Sequence, residues 1–111
     1  MERVIVMNSD KIGQGNEKLG ATLTKNFLAK LMSADLKPKM MVLYNSAVKL
    51  AAKGSDVLES LHSLENQGVE IICCGTCVNF HGLADQMEAG RVTNMPEIVK
   101  VLTEAQSTVT L

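Results

Sequence analysis

The sequence is poor in aromatic residues, with one tyrosine, two phenylalanines and no tryptophan among 111 residues. Proteins that bind single-stranded nucleic acid stack the bases on aromatic side chains, and Phe27, Tyr44 and Phe80 are widely separated in the chain. The formal net charge is −1, and neither lysine nor arginine is massed in a run. We therefore expect no nucleic-acid partner. We expect a core filled by leucine, valine, isoleucine and the seven methionines.

The sequence also has no long apolar run. No stretch approaches the roughly 20 apolar residues that a membrane span needs. The amino-terminal MERVIVMNSD has too short an apolar run, and too early an aspartate, for a secretory signal. We therefore expect a cytoplasmic protein that does not contact a membrane, in a compartment where thiols stay reduced.

Five short apolar segments are predicted to form strands. The first three are unbroken apolar runs in which β-branched residues recur, a pattern typical of strands buried on both faces. The last is predicted to lie at an edge of the sheet. The predicted strands are 2–7, 40–43, 69–73, 90–92 and 108–111.

The segments between these strands have the spacing of amphipathic helices. Asn16, Ser55 and Asn94 are predicted N-caps, and Gly68 is a predicted stop. The predicted helices are 17–33, a short helical turn at 47–53, 55–68, 78–87, and a last helix after Asn94. Strands that alternate with helices predict one three-layer α/β/α domain over residues 1–111, with a mainly parallel sheet of about five strands.

Three cysteines fall within five residues, at the end of the third predicted strand. Three cysteines so close together cannot form the disulfide framework of a fold, so they indicate a reactive or metal-binding group. Cys73 continues the apolar run and is interpreted as a core residue. Residues 74–77 are predicted to form a turn that leads into a helix, where the helix dipole favours a thiolate. Gly75 would permit this turn, and nearby N–H groups could hydrogen-bond a thiolate or a persulfide.

The C-x-x-C spacing of Cys74 and Cys77 is compatible with three chemistries. These are dithiol redox exchange, a zinc site that includes His81, and a sulfur carrier that holds a persulfide on one cysteine. Zinc would need a further ligand, and no second C-x-x-C motif is present, so we expect no metal and no cofactor.

In open parallel sheets, sites form beyond the carboxyl ends of the strands, where the loops 8–16, 44–55 and 73–79 should converge. His81 either polarises a thiol or is a surface histidine. Asn45 either lines the site or is solvated. The Gly13-x-Gly15 loop lacks the spacing of a dinucleotide-binding or P-loop motif, and glycine flexibility with helix capping explains it.

Taken in order, these segments resemble the DsrE/DsrF-like sulfurtransferase family, and most closely the carboxyl-terminal domain of YedF-type selenium-metabolism proteins. The motifs that carry the resemblance span nearly the whole chain. They are Gly13-x-Gly15 with Leu19-Gly20, the stretch 43–50, the stretch 68–71, Cys74-Gly75-Thr76-Cys77, and Gly90 followed by Thr93-Asn94-Met95. The resemblance implies a three-layer α/β fold that assembles as dimers, trimers or hexamers. It also implies a persulfide-carrying cysteine after the third strand, which maps onto Cys74, with Cys77 as its partner.

The leading hypothesis is a sulfur-relay protein that accepts sulfane sulfur from a donor protein and passes it to an acceptor thiol. Its predicted pocket consists of Gly75, Thr76, His81, Asn45, Gly13 and Gly15 around the two thiols. YedF-type proteins usually carry a TusA-like domain ahead of this one. Because this chain starts at the first predicted strand, we expect either a stand-alone relative or a partner that supplies the carrier in trans.

The alternative hypothesis is a non-catalytic, oligomeric binding or redox-sensing module with the same C-x-x-C motif. The relay itself is covalent transfer between proteins more than turnover of a small substrate, so "sulfurtransferase" describes it only broadly. Under either hypothesis we expect a homo-oligomer, because the domain is small and apolar and the predicted edge strand at 108–111 is exposed.

Overall fold

The apolar runs of the sequence form strands, and the amphipathic segments between them form helices. The protein is described by a computed structural model that covers residues 2–111. In chain order the elements are β1 (Arg3–Met7), α1 (Glu17–Met32), β2 (Met40–Leu43), a 3-10 helix (Asn45–Ala51), α2 (Leu58–Asn66), β3 (Glu70–Cys74), α3 (Gly75–Phe80), β4 (Arg91–Thr93), α4 (Met95–Glu104) and β5 (Ser107–Thr110).

The strands form one parallel sheet in the order β4-β3-β2-β1-β5. From β1 to β4 the chain moves across the sheet in one direction, so crossovers of one hand place α1, α2 and α3 on the same face. The return from β4 to β5 runs the opposite way and places α4 on the other face. The predicted three-layer α/β/α architecture is therefore confirmed.

The burial of each strand explains its sequence. In the inner strands β1, β2 and β3, successive side chains point to opposite faces, and both faces are covered by helices. These strands are therefore apolar without interruption, as in 40–43. Strand β5 pairs only with β1 among the described residues and is exposed along its length, so the predicted edge strand is confirmed.

Two of the three predicted helix caps are confirmed. The side-chain oxygen of Asn16 accepts a hydrogen bond from the N–H of Leu19 at 2.9 Å, and Asn94 accepts one from Glu97 at the same distance. The predicted cap Ser55 is wrong. Its hydroxyl accepts the N–H of Val57 within a turn, and α2 begins only at Leu58. No helix among residues 2–111 is long and apolar enough to cross a membrane.

The predicted turn at 74–77 and helix at 78–87 are also wrong. Strand β3 continues to Cys74, and α3 begins at the next residue and ends at Phe80. Gly82 follows in a left-handed conformation (φ 68°), which ends the helix. The next segment is held to the end of the 3-10 helix by backbone hydrogen bonds from Lys53 N–H to the Gln86 carbonyl and from Glu88 N–H to the Ala51 carbonyl.

Gly75 is the point where α3 touches the edge strand β4. A Cβ on Gly75 would lie 2.8 Å from the carbonyl oxygen of Thr93 and 3.4 Å from Cγ1 of Val92. The sequence predicts this glycine for a turn, but it is the first residue of a helix. The close approach of helix and strand is therefore the reason for a glycine here.

We expect Gly75→Ala to lower the free energy of unfolding by about 1–3 kcal/mol, because the added methyl group must push β4 away from α3. Urea denaturation measures this. Asn79→Ala is the matched control, since Asn79 is exposed in the same short helix and its substitution should change stability by less than about 0.5 kcal/mol. A Gly75→Ala variant as stable as the unmodified chain would contradict the close packing.

Candidate dithiol site

Cys74 and Cys77 lie where β3 passes directly into α3. Cys74 is the last residue of the strand and the N-cap of the helix, with an extended backbone (φ −63°, ψ 121°). Cys77 lies in the first turn of α3, so the helix brings its side chain back over Cys74. Both thiols are free, and each acts on the pKa of the other.

The three cysteines differ in their surroundings. Cys73 is fully buried in the layer of α1 and α2, as predicted, whereas Cys74 points to the opposite face and packs beneath α4. This separation follows from the alternation of side chains along a strand. Cys74 is 1% exposed, and Cys77 is half-buried at the boundary of the two apolar clusters. Of the three, Cys77 is the one that meets solvent.

The Cys73 thiol is unreactive. Burial raises the pKa of its thiol to about 12, and the negative charges of Glu65 and Cys74 act in the same direction. Because the thiolate is the nucleophile, a cysteine that stays protonated in this way is inert toward exchange.

Cys74 is the more acidic thiol of the pair. Burial of its sulfur opposes ionisation, but hydrogen bonds from the backbone and side chain of Cys77, and from the backbone and hydroxyl of Thr76, outweigh that cost. The net result is a pKa of Cys74 below its ordinary value. Residues of the first turn of α3 therefore favour the charged form of this sulfur.

Cys77 is the less acidic partner. Burial raises the pKa of its thiol, and so do its hydrogen bond to Cys74 and the negative charge there. One contact opposes these effects, since the backbone N–H of Asn45 donates to Cys77 Sγ at 3.0 Å. Because each thiol acts on the pKa of the other, the two cysteines titrate as a pair and not independently.

Asn45 reaches the site because β2 lies beside β3 in the sheet, so their carboxyl ends meet. It has a positive φ of 54°, a conformation that asparagine adopts more readily than most residues. This backbone turns the N–H of Asn45 toward Cys77 at the start of the 3-10 helix. The sequence points to Asn45 as a lining residue, but the group that contacts the thiol belongs to the main chain.

The structure gathers some of the predicted site residues and separates others. Asn45, Gly75 and Thr76 surround the thiols, as described above. The ring of His81 packs edge-to-face on Phe80, with centroids 5.2 Å apart, and no hydrogen bond joins it to a thiol in the described chain. Gly13 lines a different cleft of about 390 Å³, together with Asn8, Ser9, Lys11, Gln14 and Leu111. Gly15 lies in the same loop, with positive φ and open space around it.

An ion-pair network that the sequence does not reveal supports the site from β4. Arg91 donates to Glu70 of β3 at 2.8 Å and to Glu97 of α4 at 2.9 Å, and the hydroxyl of Thr93 also bonds Glu97. Hydrogen bonds from Arg91 and Thr93 lower the pKa of Glu97 to about 2. Thr93 pairs with Cys74 in the sheet and touches Gly75, so the network fixes the strand on which α3 rests.

Metal ligands do not cluster in the described chain. Residues 2–111 contain no group of three or more histidine, cysteine, aspartate or glutamate side chains placed to hold a metal ion. The groups at the site itself are two thiols, a hydroxyl and backbone N–H donors.

We expect one thiol of the pair to ionise below the ordinary range and the other above it. Ultraviolet absorbance of the thiolate, followed against pH, measures both steps. In Cys77→Ala the low step should move to higher pH, because Cys74 loses the donor that stabilises its anion. Cys73→Ala is the control and should leave the low step unchanged, since Cys73 ionises only near pH 12. A wild-type titration with no low step would contradict the assignment.

Comparison with known proteins places this geometry in a family. The DsrE/DsrF-like family model matches residues 4–111. No curated protein sequence gives a match.

Three solved structures have the same fold. The ychN protein from E. coli has a TM-score of 0.68 at 19% identity, covering 99% of this chain and 98% of that one. The protein of unknown function MTH1491 from Methanobacterium thermoautotrophicum has a TM-score of 0.71, with the same identity and coverage. The conserved protein of unknown function BT1422 from Bacteroides thetaiotaomicron has a TM-score of 0.69 at 14% identity, covering 98% and 94%. The family match spans nearly the whole chain, and the chain belongs to the DsrE/DsrF-like family.

Proposed function

We propose that this chain is a sulfur-relay protein that takes sulfane sulfur from the persulfide of a donor protein and delivers it to an acceptor thiol. The observation that carries the proposal is the Cys74–Cys77 pair, in which the pKa of one thiol is lowered by neighbouring hydrogen-bond donors. Membership of the DsrE/DsrF-like family, which is linked to sulfur relay, supports the same chemistry.

The proposed transfer needs a thiolate and a site that tolerates negative charge on sulfur. A thiolate attacks the outer sulfur of a persulfide, the sulfur–sulfur bond of the donor breaks, and the donor leaves as a thiolate. No net oxidation occurs, because one sulfur–sulfur bond replaces another. The N–H groups of Thr76 and Cys77, and that of Asn45, stabilise the anions on either side of the step.

The proposed partners are a donor protein and an acceptor protein, and a TusA-like carrier is one protein of the required type. A cytoplasmic location belongs to the same proposal, because the relay needs reduced thiols. The exchange of sulfur between thiols uses no cofactor. The likeness to YedF-type proteins also stays a prediction.

One observation favours a second candidate, a redox-sensing module. The Cys74 and Cys77 thiols have the C-x-x-C spacing of dithiol redox motifs and act on each other's pKa, and Cys74 is too buried for a protein partner to reach it directly. A sensor would cycle between dithiol and disulfide without carrying sulfur. The two candidates therefore differ in the mass of the loaded protein.

We expect the protein to gain one sulfur atom when it is incubated with glutathione persulfide, because the acidic pair supplies the attacking thiolate. Intact mass spectrometry measures the gain. The double variant Cys74→Ser/Cys77→Ser should gain none, and the matched control Cys73→Ala should gain as much as the unmodified chain. If the disulfide forms without any earlier species that carries an added sulfur, and no hydrosulfide is released, the sensor is correct and the relay is wrong.

The proposed assembly is a homo-oligomer built on α4. Within the described residues this helix of 10 residues is the only one on its face of the five-stranded sheet, so its flanks have little cover. Met95 and Val99 lie one turn apart on one flank and are 49% and 53% exposed. Apolar side chains paired in this way are typical of a surface covered in an assembly, and we take a second copy of this chain as the occupant.

We expect the protein to sediment as a dimer or a larger oligomer, and Met95→Gln/Val99→Gln to shift it toward monomer, since the double change removes apolar area from the contact. Analytical ultracentrifugation measures both. Glu104→Gln, an exposed change near the end of the same helix, is the control and should leave the assembly intact. A monomeric wild type would contradict the assembly, and an unaffected double variant would contradict its placement on α4.

A further inference from the structure

The two thiols of the site differ in their accessibility to a partner, which transfer between proteins requires. Cys74, the thiol with the lowered pKa, is 1% exposed and packs with Ile72, Val42 and Ile98 beneath α4. Thiol exchange needs the entering sulfur to reach the attacking sulfur, so access matters as much as charge. The acidic cysteine is thus out of reach of a partner, and the half-buried Cys77 is the one within reach.

Cys77 also has a donor of its own. The N–H of Asn45 lies 3.0 Å from Cys77 Sγ, and it belongs to the start of the 3-10 helix after β2 rather than to α3. This contact stabilises negative charge on Cys77 whenever the proton of the Cys77 thiol moves to Cys74. The charge can therefore be passed outward to the reachable sulfur without leaving either anion unsupported.

We propose that Cys77 is the cysteine that exchanges sulfur with partner thiols, and that Cys74 acts behind it as proton acceptor and resolving thiolate. The inference rests on the sulfur relay proposed above and names the cysteine that carries its cargo. It reverses the order implied by the family resemblance, in which Cys74 holds the persulfide. The reversal comes from the burial of the strand residue and from the separate donor to the helix residue.

In the loading step, the Cys77 thiol gives its proton to the Cys74 thiolate. The Cys77 thiolate then attacks the outer sulfur of the donor persulfide, and the bond between the two donor sulfurs breaks. The donor leaves as a thiolate and takes the proton back from Cys74. One persulfide and one thiol give one thiol and one persulfide, so no electrons are gained or lost overall.

Two exits are then open to the persulfide on Cys77. An acceptor thiolate can attack its outer sulfur, which transfers the sulfur and restores the Cys77 thiolate. Without an acceptor, the Cys74 thiolate attacks the inner sulfur, forms the Cys74–Cys77 disulfide and expels hydrosulfide. In that reaction the sulfane sulfur is reduced and the two cysteines are oxidised, so no external oxidant is consumed.

The test loads the full chain with glutathione persulfide, traps it by alkylation at successive times, and locates the added sulfur by tandem mass spectrometry. The unmodified chain should carry the sulfur on Cys77 and then release hydrosulfide as the disulfide forms. Cys74→Ser should carry it on Cys77 as well, but the adduct should persist because no resolving thiolate remains. Cys77→Ser should load at least about tenfold more slowly, since the remaining thiol is buried.

The possible results separate the assignment of Cys77 as the exchanging cysteine from the sulfur relay on which that assignment rests. Sulfur on Cys74 of the unmodified chain, or full-rate loading of a folded Cys77→Ser variant, would overturn the assignment while leaving the relay intact. Equal adduct lifetimes in the unmodified chain and Cys74→Ser would overturn the resolving role. No added sulfur in the unmodified chain would mean that the relay itself is wrong. Circular dichroism of each variant verifies that it is folded.

Discussion

The interaction between the Cys74 and Cys77 thiols depends on a strand that passes into a helix with no residue between the two elements. If a turn separated β3 from α3, the second thiol would not lie over the first. The same junction supplies N–H donors from the first turn of the helix to the Cys74 sulfur. A buried sulfur anion would otherwise be strongly disfavoured, and its stabilisation is the physical basis of every property of the site.

The junction is held in place from the edge of the sheet. Strand β4 has only three residues, and such a short edge strand would be weakly held by backbone pairing alone. Arg91 connects it to Glu70 of β3 and to Glu97 of α4, and Thr93 connects it to Glu97. Because Gly75 lies directly against Thr93, a side-chain network on one face of the sheet sets the position of a helix on the other.

Local signals in the sequence were sufficient for much of the fold. The limits of β2 and the caps Asn16 and Asn94 depend on a few neighbouring residues, and the structure agrees with them. The helix predicted at 78–87 ends at Phe80 instead, because contacts distant in sequence decide the rest of the segment. Backbone hydrogen bonds hold that part of the chain to Ala51 and Lys53.

Only part of the candidate site could be predicted from the sequence. The spacing of Cys74 and Cys77 identifies the reactive pair, but burial is decided by which face of the sheet a side chain takes, and that depends on the exact strand end. The hydrogen bond from the Asn45 N–H to Cys77 and the ion-pair network around Arg91 depend on strand order and register. Neither can be predicted from the composition of single segments.

The opposite orientation of Cys73 and Cys74 has a consequence for oxidative stress. Neighbouring cysteines on a strand project away from each other, so the sheet itself lies between the inert sulfur and the reactive pair. Of the three pairings that three thiols allow, the fold favours one. Scrambled disulfides are thereby disfavoured by backbone geometry, and a third thiol can sit beside the reactive pair without competing with it.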